Sequence, residues 1–164
     1  MEFIEHTIAW CKGEVFEGRI ILFTGILIIV SAFLFYKMGT TPYAKAIVLP
    51  LLVLGVFYSA TGLAMNFSNE KRIEQFSKEY EVNKKEFIKE EKQRVENFSN
   101  WYIYTRISMS IIIAAGIVMY FIGGTTLTSI ALVLMILGFS GFALDHFSQE
   151  RAKTYYEQIL KTKV

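Results

Sequence analysis

Four apolar runs constrain this chain more than anything else in it. The first, residues 20–36, reads IILFTGILIIVSAFLFY and holds no charge between Arg19 and Lys37. Its length is at the short end of what crosses ~30 Å of hydrocarbon at ~1.5 Å per residue. Comparable runs cover residues 46–65, 101–122 and 127–144. A chain of 164 residues that is 53% hydrophobic, with a mean hydropathy of +0.38, is more apolar than a soluble domain of this size. The runs are therefore read as membrane spans. The expected fold is all-α: a polytopic membrane protein with four transmembrane helices in two parallel hairpins, an amphipathic N-terminal helix and a cytoplasmic helical layer.

Residues 67–100 separate the two pairs of runs. They contain no Gly or Pro and are dense in Lys and Glu. Both ends of this stretch must return to the same membrane face, and one straight upright helix cannot do that. Ile73, Phe76 and Tyr80 mark one apolar stripe; Phe87, Ile88, Val95 and Phe98 mark another. The phase breaks across residues 81–84, where Asn83 tolerates a turn. The favoured shape is two helices meeting near Asn83 and extending the second and third spans. The other is one helix lying on anionic headgroups. The whole chain divides into an interfacial helix (1–18), a first transmembrane hairpin (19–66), the charged segment (67–100), a second hairpin (101–145) and a C-terminal helix (146–164).

The ends of the chain read as helices too. Ile4, Ile8, Cys11 and Val15 recur at helical spacing, with Trp10 placed for headgroup depth. That segment either lies in the membrane interface or packs on other protein. Glu2 and Glu5 stand where a signal peptide would be basic, so the segment is expected in the mature protein. In the tail, Phe147, Tyr155 and Ile159 make a stripe expected to cover the stripe of the central stretch. The halves also echo each other, with Gly39-Thr-Thr against Gly124-Thr-Thr, and Asn66-Phe-Ser against His146-Phe-Ser. This suggests parallel repeats about an axis along the membrane normal.

Topology follows from the basic residues. If the four runs all span, fifteen of the seventeen Lys and Arg fall on the side of the termini, and only Lys37 and Lys45 fall on the other. The positive-inside rule places both termini in the cytoplasm, and the expected location is a bacterial inner membrane. Within the spans, Gly55, Ser59 and Gly62 share one helical face and form a packing seam. Ser110 with Ala114, and Gly138 with Gly141, are further close-approach candidates. Arg106 and Asp145 come out at similar depth when counted from Gly124, so an ion pair between them is expected.

Function classes narrow more than they resolve. A net charge of +2 excludes polyanion binding by bulk electrostatics, so no nucleic acid is expected. One cysteine, Cys11, allows no intrachain disulfide. His6 and His146, with Glu5 and Asp145, lack metal-ligand spacing, and no nucleophile or phosphate-loop motif is present. The span middles carry hydroxyls but no ionisable group, which disfavours a proton-driven carrier. The expectation is a non-enzymatic, cofactor-free membrane interaction protein: an adaptor, accessory subunit or immunity-type protein. Besides the lipid bilayer, its partner is a protein or a second copy. The alternative is an oligomeric channel or small-solute transporter.

Overall fold

A computed structural model describes residues 2–162. They form six helices: α1 (Phe3–Met38), α2 (Pro42–Ala46), α3 (Val48–Val82), α4 (Lys84–Ser99), α5 (Trp101–Ile122) and α6 (Thr125–Lys161). No strand occurs among the described residues. Two junctions hardly interrupt the path. Ile47 and Asn100 keep right-handed helical dihedrals, so α2 runs on into α3 and α4 into α5. The result is four rods of 36, 41, 39 and 37 residues, each apolar enough over part of its length to cross a membrane. At ~1.5 Å per residue each rod is ~55–60 Å long, about twice a bilayer core. Every rod therefore has an apolar half and a polar half.

Local chemistry explains where the rods end. Gly39 closes α1; its N–H donates to Phe35 O, and a side chain there would strike that same carbonyl. Thr41 then caps α2, its Oγ1 accepting from Ala44 N at 3.2 Å, with Pro42 at the first helical position. Asn83 makes the sharpest break. It is extended (φ −151°, ψ 92°), and its Oδ1 accepts from Glu86 N at 3.3 Å to cap α4. The two-helix shape of residues 67–100 is the one observed.

The rods pack as two antiparallel pairs, α1 with α3 and α5 with α6, and α6 also meets both α1 and the α2–α3 rod. Gly18 faces Met65 and Asn66, Gly25 faces Ser59, and Gly55 faces Ile29, so α1 and α3 run in opposite directions at close range. A Cβ on Gly62 would lie 2.5 Å from Leu22 N, so only glycine permits that approach. Gly138, Gly141 and Gly116 do the same between α5 and α6, against Ile113, Met109 and Met135. Ser110 and Ala114 take no part in this approach. Both are exposed, and Ser110 Oγ donates to Arg106 O of its own helix. The face of α5 that meets α6 runs through Met109, Ile113 and Gly116, one step round the helix from them.

The N-terminal segment also differs from a separate interfacial helix. Residues 3–18 are the polar half of α1, continuous with the apolar half through Gly13 and Gly18. Phe3, Trp10 and Cys11 are buried against other helices. Of the two arrangements open from sequence, packing on protein is the one found.

Candidate functional site

The polar halves of α1, α3, α4 and α6 close around one aromatic core. Phe87 sits at its centre. Its ring meets Phe3, Phe76 and Tyr80 edge-on at 6.2, 5.6 and 5.7 Å. Trp10 stacks on Tyr155 at 5.5 Å, and Val95, Ile88 and Ile159 fill the remainder. Ile73 packs against the edge of this cluster. The stripe residues Phe76, Tyr80, Phe87, Val95, Tyr155 and Ile159 thus meet in one place.

Two stripe residues do not join them. Phe147 is 62% exposed. The inner face of α6 runs through Asp145, Ala152, Tyr155 and Ile159, and Phe147 lies off that face. It lines a surface groove with His6, Trp10 and Arg151 instead. Phe98 stays on the α4 stripe but lies beyond the core, edge-on to Tyr102 at 5.1 Å.

A polar network runs through the aromatic core. Tyr155 Oη donates to Glu91 Oε2 at 3.0 Å and lies 2.8 Å from Thr7 Oγ1. Arg94 holds Glu91 with two hydrogen bonds, Nε to Oε1 at 2.9 Å and Nη2 to Oε2 at 2.7 Å. The same guanidinium lies 4.7 Å from the Trp10 ring centre. Burial pushes the Tyr155 hydroxyl well above its usual range, with the Glu91 charge adding to it, so the phenol remains a donor. Burial also pushes the Cys11 thiol up to about 11, which leaves it unreactive near neutral pH. These groups pin three helices, α1, α4 and α6, to one register.

Where the polar and apolar halves meet, carboxylates are buried in pairs with arginine. Glu14 Oε1 accepts from Arg151 Nη2 at 3.1 Å, and Glu17 shares the same guanidinium. Arg106 Nε lies 3.5 Å from Asp145 Oδ2 and also reaches Gln149. Glu14, Glu17 and Asp145 line a cleft of about 680 Å³ between α3 and α5, floored by α1 and α6. Among the described residues the backbones of α3 and α5 do not approach each other closely, so the cleft opens sideways. Phe57, Thr61 and Met65 form one wall, and Trp101, Thr105 and Met109 the other.

Sequence reading missed Glu14, Glu17, Glu91, Arg94 and Arg151. One signal was available. Thr7, Cys11, Glu14, Gly18, Ile21 and Gly25 follow a four-and-three spacing along α1, a seam in which polar and small residues stand at inward positions. Among the described residues no three His, Cys, Asp or Glu side chains are grouped to hold a metal ion. Compared with protein-family models, curated proteins and solved structures, the chain matches none of them.

Proposed function

We propose that the chain is a non-enzymatic integral membrane interaction protein (an adaptor, accessory subunit or immunity-type protein) whose working surface is the polar head. The observation that carries this reading is the closure of the head. Apart from Phe98 and Phe147, its apolar stripes are consumed in the core, which leaves an outer shell of mixed charge. On α4 that shell is Lys85, Glu86, Lys89, Glu90 and Lys92, all exposed. Alternating charge on a fixed scaffold suits a protein partner or a second copy better than a polyanion.

The membrane reading rests on the four apolar rods and on what each end gathers. Glu2 lies 3.6 Å from Lys84, so the start of α1 and the Asn83 turn share one end, and Tyr155 brings the tail there. The loops around Gly39 and Gly124 lie at the other. In this proposal the rods are two parallel transmembrane hairpins in a bacterial inner membrane, with head and termini cytoplasmic. Single-cysteine variants at Thr41 and Thr126 should react with an impermeant maleimide in intact cells, and one at Asn83 only after permeabilisation. The reverse pattern overturns the orientation.

The function is tested by a photo-crosslinking residue at position 86 in the native membrane. A single discrete adduct is expected, weakened by Lys85→Glu with Lys92→Glu. The second reading, an oligomeric channel or small-solute transporter, draws on the sideways cleft alone. Solute flux through liposomes holding the purified protein, together with no adduct from the head, would replace the first reading with the second.

A further inference from the structure

We propose that the cleft between α3 and α5 holds one phospholipid with a zwitterionic headgroup carrying phosphate and ammonium. Three features of the cleft select this occupant. The first is length. From Phe57 to Arg72 the α3 wall spans fifteen residue steps, ~22 Å at ~1.5 Å each. Half of a bilayer, headgroups included, is ~20–22 Å. The cleft is one leaflet deep, and its volume lies in the ~300–1,000 Å³ range of small-ligand sites.

The second feature is the walls. A transmembrane helix docks on small residues that let backbones approach. Here the glycines of α1, α3, α5 and α6 are already engaged with one another. Beside smaller residues such as Thr61, Ala64 and Thr105, the cleft presents Phe57, Met65, Trp101 and Met109, bulky groups that hold a backbone off but line a path for an acyl chain. The walls also grade from apolar at Phe57 and Met109 to polar at Asn69 and Arg72, as an amphiphile does.

The third feature is charge. Glu14 and Glu17 share the single guanidinium of Arg151, which leaves one formal negative charge on the floor. Asp145 is balanced by Arg106. Arg72 donates to Asn69 Oδ1 at 3.3 Å, and among the described residues no carboxylate lies within ion-pair distance of it. The foot of the cleft thus presents one uncompensated charge of each sign. A phosphate against Arg72 and an ammonium against the Glu14–Glu17 pair complement both at once.

Native mass spectrometry of the detergent-purified full chain, titrated with phosphatidylethanolamine or phosphatidylglycerol, tests this. One phosphatidylethanolamine should bind per chain, about tenfold more tightly than phosphatidylglycerol. Arg72→Gln should weaken that adduct about fivefold to tenfold. Ala64→Trp on one wall, and Thr105→Trp on the other, should each abolish it while the melting temperature of the head is kept. Reading both walls guards against one variant failing to fold. Equal binding of the two lipids, or an adduct that survives both tryptophans, would assign the lipid to the general annulus and overturn the proposal. A dimer peak lost in both variants would assign the cleft to a second copy and overturn it equally.

Discussion

The two halves of each rod place their phenylalanines differently. Away from the boundary, the polar half puts phenylalanine inside: Phe3, Phe76 and Phe87 are all core, while Phe16, Phe67 and Phe147, close to the apolar half, are exposed. In the apolar half it goes outside, as Phe23, Phe57, Phe121 and Phe139 do. Helix contacts there are made by Gly25, Gly55, Gly62 and Gly138, with Ile21, Leu54 and Tyr58 packed beside them. On the proposed membrane reading, the difference lies in the surroundings each half is built for. In water an exposed aromatic ring carries a large hydration penalty, so folding drives it inward. Against hydrocarbon that penalty vanishes, and only close packing distinguishes one helix face from another. The polar half therefore closes around a core, while in the apolar half α5 is held mainly on α6 alone.

The largest test of this contrast compares two phenylalanines. Phe87, 3% exposed, should cost about 3–5 kcal/mol of stability when changed to Ala. Phe121, 79% exposed, should cost less than about 0.5 kcal/mol under the same change. Thermal unfolding in detergent or nanodiscs reads both. Equal losses would erase the distinction between the halves.

A smaller effect is expected at the seam. Gly62→Val places side-chain atoms against Leu22 N and Gly18 O. It should destabilise by about 1–3 kcal/mol, while Ala60→Val on the exposed face of the same helix should be near neutral. Were Gly62→Val silent, the close approach of α1 and α3 would be wrong.

The smallest effect lies at the boundary between the halves. Arg106→Ala and Asp145→Ala should be non-additive in a double-mutant cycle, with a coupling of about 0.5–1.5 kcal/mol, because Asp145 is buried while Arg106 is half exposed. Strict additivity would show that their proximity carries no energy.

Much of this architecture is legible in the residues, for physical reasons that can be named. Uncharged runs announce the rods because nothing else tolerates them. Asn83 announces the turn because the apolar phase fails beside a residue that caps. Counting rise from Gly124 suffices to bring Arg106 near Asp145. Other features escape because they depend on neighbours distant in sequence. The inward face of α1 contains Thr7, Glu14 and Gly18, which look like surface residues until Tyr155, Arg151 and Asn66 arrive against them. The cleft escapes for the same reason: it is a close approach that the backbones of α3 and α5 fail to make, and no periodicity records it. Phe147 misleads because hydrophobicity alone does not distinguish one helix position from the next.

The central claim is that the head is a docked unit, and that α4, the most polar of its helices, is held by the tail more than by its own helix propensity. Amide hydrogen exchange in nanodiscs tests this most directly, comparing the full chain with one ending after Ser148. The shorter chain lacks Ala152, Tyr155 and Ile159, and with Tyr155 the hydrogen bond to Glu91. The account predicts strong protection around Phe76 and Phe87 in the full chain and a loss of at least ~100-fold in the shorter one, the equivalent of roughly 2.7 kcal/mol. Unchanged protection at both positions would show that the tail is dispensable and would contradict the claim.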